Sequence, residues 1–366
     1  MLKIAILGAG HVGHACSADL SLAGHQVTLY ELPEFAEKLK SITGRGGIEI
    51  TGVSRVGLAR LSRITSNIEE ATKDVDIIQI TVPAFGHKHM IEICAPHIEE
   101  GQTVLFCGCG GGTLLFVKTL REMGLGEIAH DILLGETNLP PYGTRISDPA
   151  QVSISFINPC MLAAAFPAKN TQKLLRVLRI LYPGVIAASN VLETILCQTN
   201  FVCHPVATLL NVGRIEYSGP FPMWREGVTP SVAKLIEAVD KERLSVMRAL
   251  GLKHLETYQE LGALFGISTP AKTVYDSIRS RFMTPNDPTD AKKHRYVSED
   301  VPYGLVTCAS IGSMVDVDTP IIKALIKLYS VMNETDYWRE GRTTEELGIS
   351  GLSIDKLKKL VDEGEV

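Results

Sequence analysis

The first 31 residues constrain this chain more than any other stretch of it. Residues 2–7 form a short apolar run, the pattern of a parallel strand buried on both faces. The run leads straight into Gly8-Ala-Gly10-His11-Val12-Gly13. A helix-forming segment, 15–23, stops at Gly24, and a second apolar run, 26–30, ends on Glu31. A GxGxxG pattern alone is common. Set between two strands, with a helix and a terminal acid, it specifies a dinucleotide-binding turn. Gly8 permits the tight turn, Gly10 lets the backbone approach a pyrophosphate, and Gly13 lets the helix pack closely on the strand. The helix N-terminus offers free N–H groups and the positive end of its dipole to the phosphates. Glu31, about twenty residues on, is placed to accept both ribose hydroxyls. A carboxylate there disfavours a 2′-phosphate, so NAD(H) is expected in preference to NADP(H).

With 366 residues the chain is long enough for two domains, and 45% hydrophobic content is ample for both cores. Charged residues make up 21% and the net charge is −5, so nothing basic recommends nucleic acid or an anionic membrane as a partner. The apolar stretch 154–168 is interrupted by Asn158, Pro159 and Pro167 and is too short to span a bilayer. The first strand begins at the N-terminus and leaves no room for a signal peptide, so a cytoplasmic protein is expected. The eight cysteines show no CxxC spacing, and Cys107 and Cys109 stand too close for a usual zinc knuckle. Reduced, buried thiols and no metal centre are expected. A homodimer is compatible with this composition, although no patch in the sequence argues for one.

Strand and helix signals alternate through the first half. Further strands are expected at 75–82 (closed by Pro83), 103–107, 132–135 and 152–157. Helices are expected at 33–42, 87–97 and 114–123, and 48–64 reads as a small β excursion. This cadence predicts an α/β domain of Rossmann type, a doubly wound parallel sheet with helices on both faces. Ligands in such sheets bind outside the carboxyl ends of the strands, so the loops after Leu7, Glu31, Val82, Cys107 and Gly135 should share one crevice. His11, Val12, Val82 and Pro83 therefore join Gly8, Gly10, Gly13 and Glu31 as expected cofactor contacts, although the rings of His11 and His14 suit packing and solvent. A second glycine-rich turn spans 108–112. From Asn190 onward strand signals vanish. Helical periodicities run over 191–210, 228–250, 255–265, 269–282, 303–315 and 320–332, with Thr229-Pro230 and Thr319-Pro320 as N-cap signals. The expected division is a nucleotide-binding domain, 1–187, followed by an all-helical substrate domain, 188–366.

Hydride chemistry needs a proton donor or acceptor beside the reacting carbon, and cations or amides to hold the substrate. Asn200 and His204 are four residues apart and share one helical face. Pro205 removes a helical donor just beyond, a common way to turn a side chain toward a cleft. His204 is then either a catalytic imidazole or a satisfied core residue beside a kink. Asp300 either orients an imidazole and raises its pKa, or caps the helix beginning near Pro302. Arg295 stands in the same segment. Glu136, Asn138 and Arg145 follow a late strand, where the crevice should lie. Arg145 suits a substrate carboxylate or a solvated loop equally. Trp224 and Trp338 either line an amino-acid side-chain pocket or belong to the core. His87 and His89 alternate and do not face one side of a helix, so they form no metal pair.

The chain resembles the octopine/nopaline dehydrogenase family, the opine dehydrogenases, along nearly its whole length. The resemblance is carried by Glu136-Thr-Asn138-Leu-Pro with Tyr142 and Arg145, and by Asn200-x-x-x-His204-Pro with Leu209-Leu-Asn211. It extends to Asp240-Lys-Glu242-Arg243, Arg295-Tyr-x-x-Glu-Asp300-x-Pro302-x-Gly304-Leu and Asp336-Tyr-Trp338-x-x-Gly341-Arg342-Thr. Pro141 is an extra residue within the first of these and leaves the alignment of Arg145 open. The resemblance implies a helical second domain, like that of 6-phosphogluconate dehydrogenase, closing over the cofactor domain. It implies NAD(P)H-dependent reductive condensation of an α-keto acid, often pyruvate, with the amino group of an L-amino acid. Loss of water gives an imine, which hydride reduces to a secondary amine. It further implies His204 as the catalytic acid backed by Asp300, Arg295 or Arg145 on a carboxylate, and Glu136, Asn138 and Asn200 around the substrates.

Two alternatives stand beside this. A ketopantoate-reductase-like or 3-hydroxyacid dehydrogenase also joins a dinucleotide domain to a helical one, but it typically uses a lysine acid, and no lysine occurs between residues 190 and 232. A non-catalytic NAD sensor would not need a paired histidine and carboxylate.

Overall fold

The structure, a computed structural model, describes residues 1–108, 110–218, 221–281, 287–288 and 290–365. Cys109 of the second glycine-rich turn and Phe282, the expected end of one helix, lie outside them. Twelve strands form among the described residues: β1 Lys3–Leu7, β2 Gln26–Tyr30, β3 Ile48–Gly52, β4 Gly57–Ala59, β5 Arg63–Thr65, β6 Ile77–Ile80, β7 Thr103–Phe106, β8 Leu133–Thr137, β9 Tyr142–Asp148, β10 Gln151–Ile157, β11 Met161–Phe166 and β12 Val185–Ala187. The chain divides into two units, Met1–Val191 and Leu192–Val366.

In the first unit an eight-stranded sheet runs β12-β11-β8-β7-β6-β1-β2-β5. Its middle strands β6 and β7 are buried at every residue, as cover on both faces requires. The sheet is not wholly parallel: β11 runs antiparallel to β8. Strand β11, Met-Leu-Ala-Ala-Ala-Phe, is buried throughout but carries no strand signal, because alanine has low β-propensity and the run has no alternation. The expected strand at 152–157 is real but belongs elsewhere. As β10 it joins a second sheet, β4-β3-β10-β9, pairing parallel with β3 and antiparallel with β9. Of its seven residues only Val152 and Ile154 are buried, on one face of the strand, the mark of a sheet covered on one face only. The helix His11–Leu22 packs on this small sheet, and the Tyr142 hydroxyl donates to Asp19 Oδ2 at 2.8 Å across the junction.

The described part of the second unit is helical. The expected helix at 191–210 is two, Val191–Leu196 and Asn200–Leu209. The segment Asp240-Lys-Glu242-Arg243 has structural tasks. Arg243, 1% exposed, donates to Asp240 Oδ1 at 2.8 Å, to the Leu196 carbonyl at 3.3 Å and to the Glu256 carbonyl at 2.7 Å. The other oxygen of Asp240 accepts from the Tyr258 amide at 2.7 Å. A guanidinium out of water is tolerated when paired and bonded in this way. Glu242 accepts from the amides of Ile321 and Ile322 at 2.8 and 2.9 Å and so caps the helix Pro320–Asn333. Thr319 makes no cap hydrogen bond, because that carboxylate holds the amides a cap would take. Thr229 does cap its helix, accepting from the Val232 amide. Among the described residues no helix is long and apolar enough to cross a membrane.

Candidate active site

In the first unit the glycine turn has the sterics its sequence demands. A Cβ on Gly13 would lie 1.8 Å from the Gly8 carbonyl oxygen, and one on Gly8 would meet Val82 Cγ1 at 2.6 Å, with φ at +108°. A Cβ on Gly10 would meet nothing within 4 Å, so space is left open over the turn. Glu31, 5% exposed, accepts from the Ala9 amide at 3.1 Å and the Leu32 amide at 3.0 Å, with Lys38 Nζ at 3.4 Å. The carboxylate thus lies against the glycine turn. Val82 is half-buried and Pro83 exposed, just past β6. Strands β6, β1 and β2 are neighbours, so these residues gather at the carboxyl ends of adjacent parallel strands. His11 and Val12 open the helix, and His11 Nδ1 accepts from the Ile146 amide at 2.9 Å, tying the turn to β9. An open cradle over three glycines beside a held carboxylate fits a dinucleotide.

Glu136 and Asn138 are buried. Glu136 Oε2 accepts from the Thr113 amide at 3.1 Å and hydroxyl at 2.7 Å, at the start of the helix Gly112–Glu122. Asn138 Oδ1 accepts from the Leu162 amide at 2.9 Å. Both brace the β8–β11 region. Arg145 is exposed on β9, opposite Ser153.

The second unit brings together what the sequence left 96 residues apart. His204 Nδ1 and Asp300 Oδ2 are 2.7 Å apart, with side chains 6% and 1% exposed. Local structure makes the approach possible. His204 sits on the helix Asn200–Leu209, and Asp300 precedes the π turn Val301–Leu305. A Cβ on Gly304 would lie 2.2 Å from Phe201 Cβ, so only glycine lets turn and helix come this close. Asp300 makes no cap hydrogen bond; its carboxylate serves the imidazole instead. Its Oδ1 is buried without a hydrogen-bond partner, and His204 Nε2 has no partner among the described residues.

Two aromatic rings frame the imidazole. Tyr296 stacks on it at 3.8 Å and 28°, and Trp224 meets it edge-on at 5.4 Å and 64°. Trp224 lies in the π turn Met223–Gly227, which Asn211 ties down by donating to the carbonyls of Ala207 and Gly227 at 2.8 and 3.2 Å. His294 caps the short helix Arg295–Ser298 and packs edge-on against Tyr296. Arg295 is half-exposed and pairs with Glu299 at 3.2 Å, and Asn200 is half-buried at the helix start. Burial, reinforced by the cations of Arg295 and Arg281, holds His204 well below its ordinary 6.5. Burial pushes Asp300 up to about 7, against the pull of Arg295 and His294. This direction for His204 is opposite to the expectation drawn from the carboxylate alone, with desolvation its leading cause. Tyr296 and Arg281 carry no site signal in the sequence, and Trp224 stands there only as a residue of either a side-chain pocket or the core; tertiary packing alone delivers their places around the ring.

A family model described as NAD/NADP octopine/nopaline dehydrogenase, alpha-helical domain, matches residues 187–333. One described as ketopantoate reductase PanE/ApbA matches residues 4–119 and stops short of His204 and Asp300. An opine dehydrogenase of Arthrobacter sp. (strain 1C) is 37% identical over 361 residues, covering 98% of each chain. The chain belongs to the opine dehydrogenase family. It is an NAD(P)-dependent oxidoreductase acting on CH–NH bonds, by reductive condensation. Octopine dehydrogenase of Pecten maximus is 22% identical, covering 94% of this chain and 93% of its own. Octopine dehydrogenase solved with NADH and L-arginine shares the fold of this opine dehydrogenase family member at TM-score 0.79 and 18% identity, covering 100% of this chain and 99% of that one. NADP+-bound yersinopine dehydrogenase does so at TM-score 0.68 and 16% identity, covering 99% and 98%.

Proposed function

We propose that this chain joins an α-keto acid such as pyruvate to the amino group of an L-amino acid using NADH, with His204 as the proton donor and Asp300 as its anchor. The observation that carries the reading is the buried 2.7 Å His204–Asp300 pair, with Nε2 unpartnered among the described residues. Gly8, Gly10, Gly13, His11, Val12, Val82, Pro83 and Glu31 would hold the nucleotide, which supplies a hydride when bound. Asp300 accepts from Nδ1–H and so directs Nε2 toward the substrate. Protonated Nε2 polarises the keto oxygen as the amine nitrogen attacks the carbon. The proton then leaves with that oxygen as water, and the C=N bond accepts the hydride. One keto acid, one amine, one hydride and one proton become one secondary amine and one water. A lowered pKa makes the protonated imidazole a stronger acid, and it leaves the ring neutral, and thus a base for the reverse reaction, at neutral pH. Tyr296 and Trp224 cover the ring and keep bulk water from it.

Glu31 supports NADH as the cofactor, since a buried carboxylate at the ribose site repels a 2′-phosphate. Glu31→Ala should weaken NADH binding about tenfold, the worth of a charge-assisted hydrogen bond, and raise the relative affinity for NADPH as Lys38 loses its partner. Titration of nicotinamide fluorescence measures both.

The test of the whole reading is NADH consumption with pyruvate, with each of a panel of L-amino acids, and with both together, followed by product mass. Consumption only with both supports it. Consumption with the keto acid alone marks a hydroxyacid dehydrogenase, and none with any pair marks a nucleotide binder.

A further inference from the structure

Arg281 is a cation that the reading above leaves unused. It is partly buried in the second unit. Its guanidinium lies over the Trp224 indole, 4.8 Å from the ring centre. One terminal nitrogen, Nη2, bonds the Tyr258 hydroxyl and lies 3.8 Å from Cys203 Sγ. Both neighbours lead to the proposed acid: Cys203 precedes His204 in the chain, and Trp224 packs edge-on against its ring. Two other arginines of this unit are paired, Arg243 with Asp240 and Arg295 with Glu299. Among the described residues Arg281 has no carboxylate partner, and its Nε and Nη1 make no hydrogen bond. A guanidinium carries five N–H donors in a planar fork that matches a carboxylate, and partly desolvated donors without acceptors are costly. The protein also spends structure on placing it. Asp240, fixed by buried Arg243, holds the Tyr258 amide, and the Tyr258 hydroxyl holds Arg281.

We propose that Arg281 binds a substrate α-carboxylate beside His204 and so selects keto and amino acids over their uncharged analogues. The proposal rests on His204 acting at the reacting carbon. Both substrates carry a carboxylate one bond from the atom that reacts, so keto acid and amino acid present the same chemistry to the guanidinium.

The test is calorimetric binding to the NADH-saturated enzyme, one substrate at a time so that nothing turns over. Pyruvate is compared with pyruvamide in one arm. In the other, L-alanine, L-methionine, L-phenylalanine and L-arginine are compared with their amides. The wild-type enzyme should prefer the acid over the amide by about 100-fold in at least one arm, and Arg281→Met should reduce that preference to about threefold or less. The arm that collapses identifies which carboxylate is held. Arg281→Lys, which keeps the charge but loses the fork, should fall between. Unchanged NADH affinity and melting temperature certify the fold. Should Arg281→Met fail to fold, the lysine variant decides by the same ratio. Preference retained in both arms, or absent in both arms of the wild type, overturns the proposal. The turnover panel decides the underlying reading separately, because binding preference needs no catalysis.

Discussion

His204→Ala should lower kcat for NADH-dependent condensation by about 10²- to 10⁴-fold, the range a positioned general acid supplies, while NADH affinity stays at the wild-type value. The separation follows from where the groups lie. His204 is on the helix Asn200–Leu209 of the second unit, and the glycine turn and Glu31 belong to the first. The ring also packs against Tyr296 and Trp224, so alanine leaves a cavity costing about 2–4 kcal/mol. His204→Gln fills most of that space without an acid of suitable pKa. Equal losses of kcat in both variants assign the effect to the proton. Stopped-flow NADH absorbance and a nucleotide fluorescence titration supply the two readouts.

Asp300→Asn should cost about 10³-fold in the same rate and leave the melting temperature intact. An amide NH₂ facing Nδ1 would favour the tautomer with the proton on Nε2, so the ring could neither accept a proton there nor be held as a cation. Stability should not follow activity downward. Asp300 is raised from an ordinary 3.8 to about 7 in the folded chain, with burial the leading cause. A raised folded pKa on an acid means that stability declines as pH climbs from near 4 to near 7, since the folded state binds the proton more tightly than the unfolded one. Above that window the ionised carboxylate is a burden, its Oδ1 buried without a partner among the described residues, and asparagine lifts it. A variant that is inactive yet as stable as the wild type at pH 8 matches this; one that unfolds with its activity shows that the pair is structural.

The nucleotide half was legible because each glycine answers a local steric demand. Gly13 is dictated by an oxygen 1.8 Å from where its Cβ would be, and such a demand is met within a few residues of chain. The His204–Asp300 pair was legible only as two candidates with competing roles. A contact across 96 residues has no local signature, and family resemblance joined what spacing could not. Strand β11 escaped notice because three alanines carry no period. Arg281 escaped because an arginine beside a polar loop looks solvated in sequence, and only the packing of Trp224 and Tyr258 shows otherwise. Glu136 and Asn138 were visible as polar residues at a strand exit. Their engagement with Thr113 and Leu162 depends on how β8 sits against its neighbours.

The ratio of wild-type to His204→Ala single-turnover rates across pH 5–8 tests the central claim most directly, since titration of the substrate amine cancels in it. With the imidazole held well below 6.5, the ratio should be smallest near pH 8 and climb steadily as the solution is made more acidic, reporting a proton that only the wild type can deliver. A ratio that stays flat over that range, or stays near one, would contradict the account.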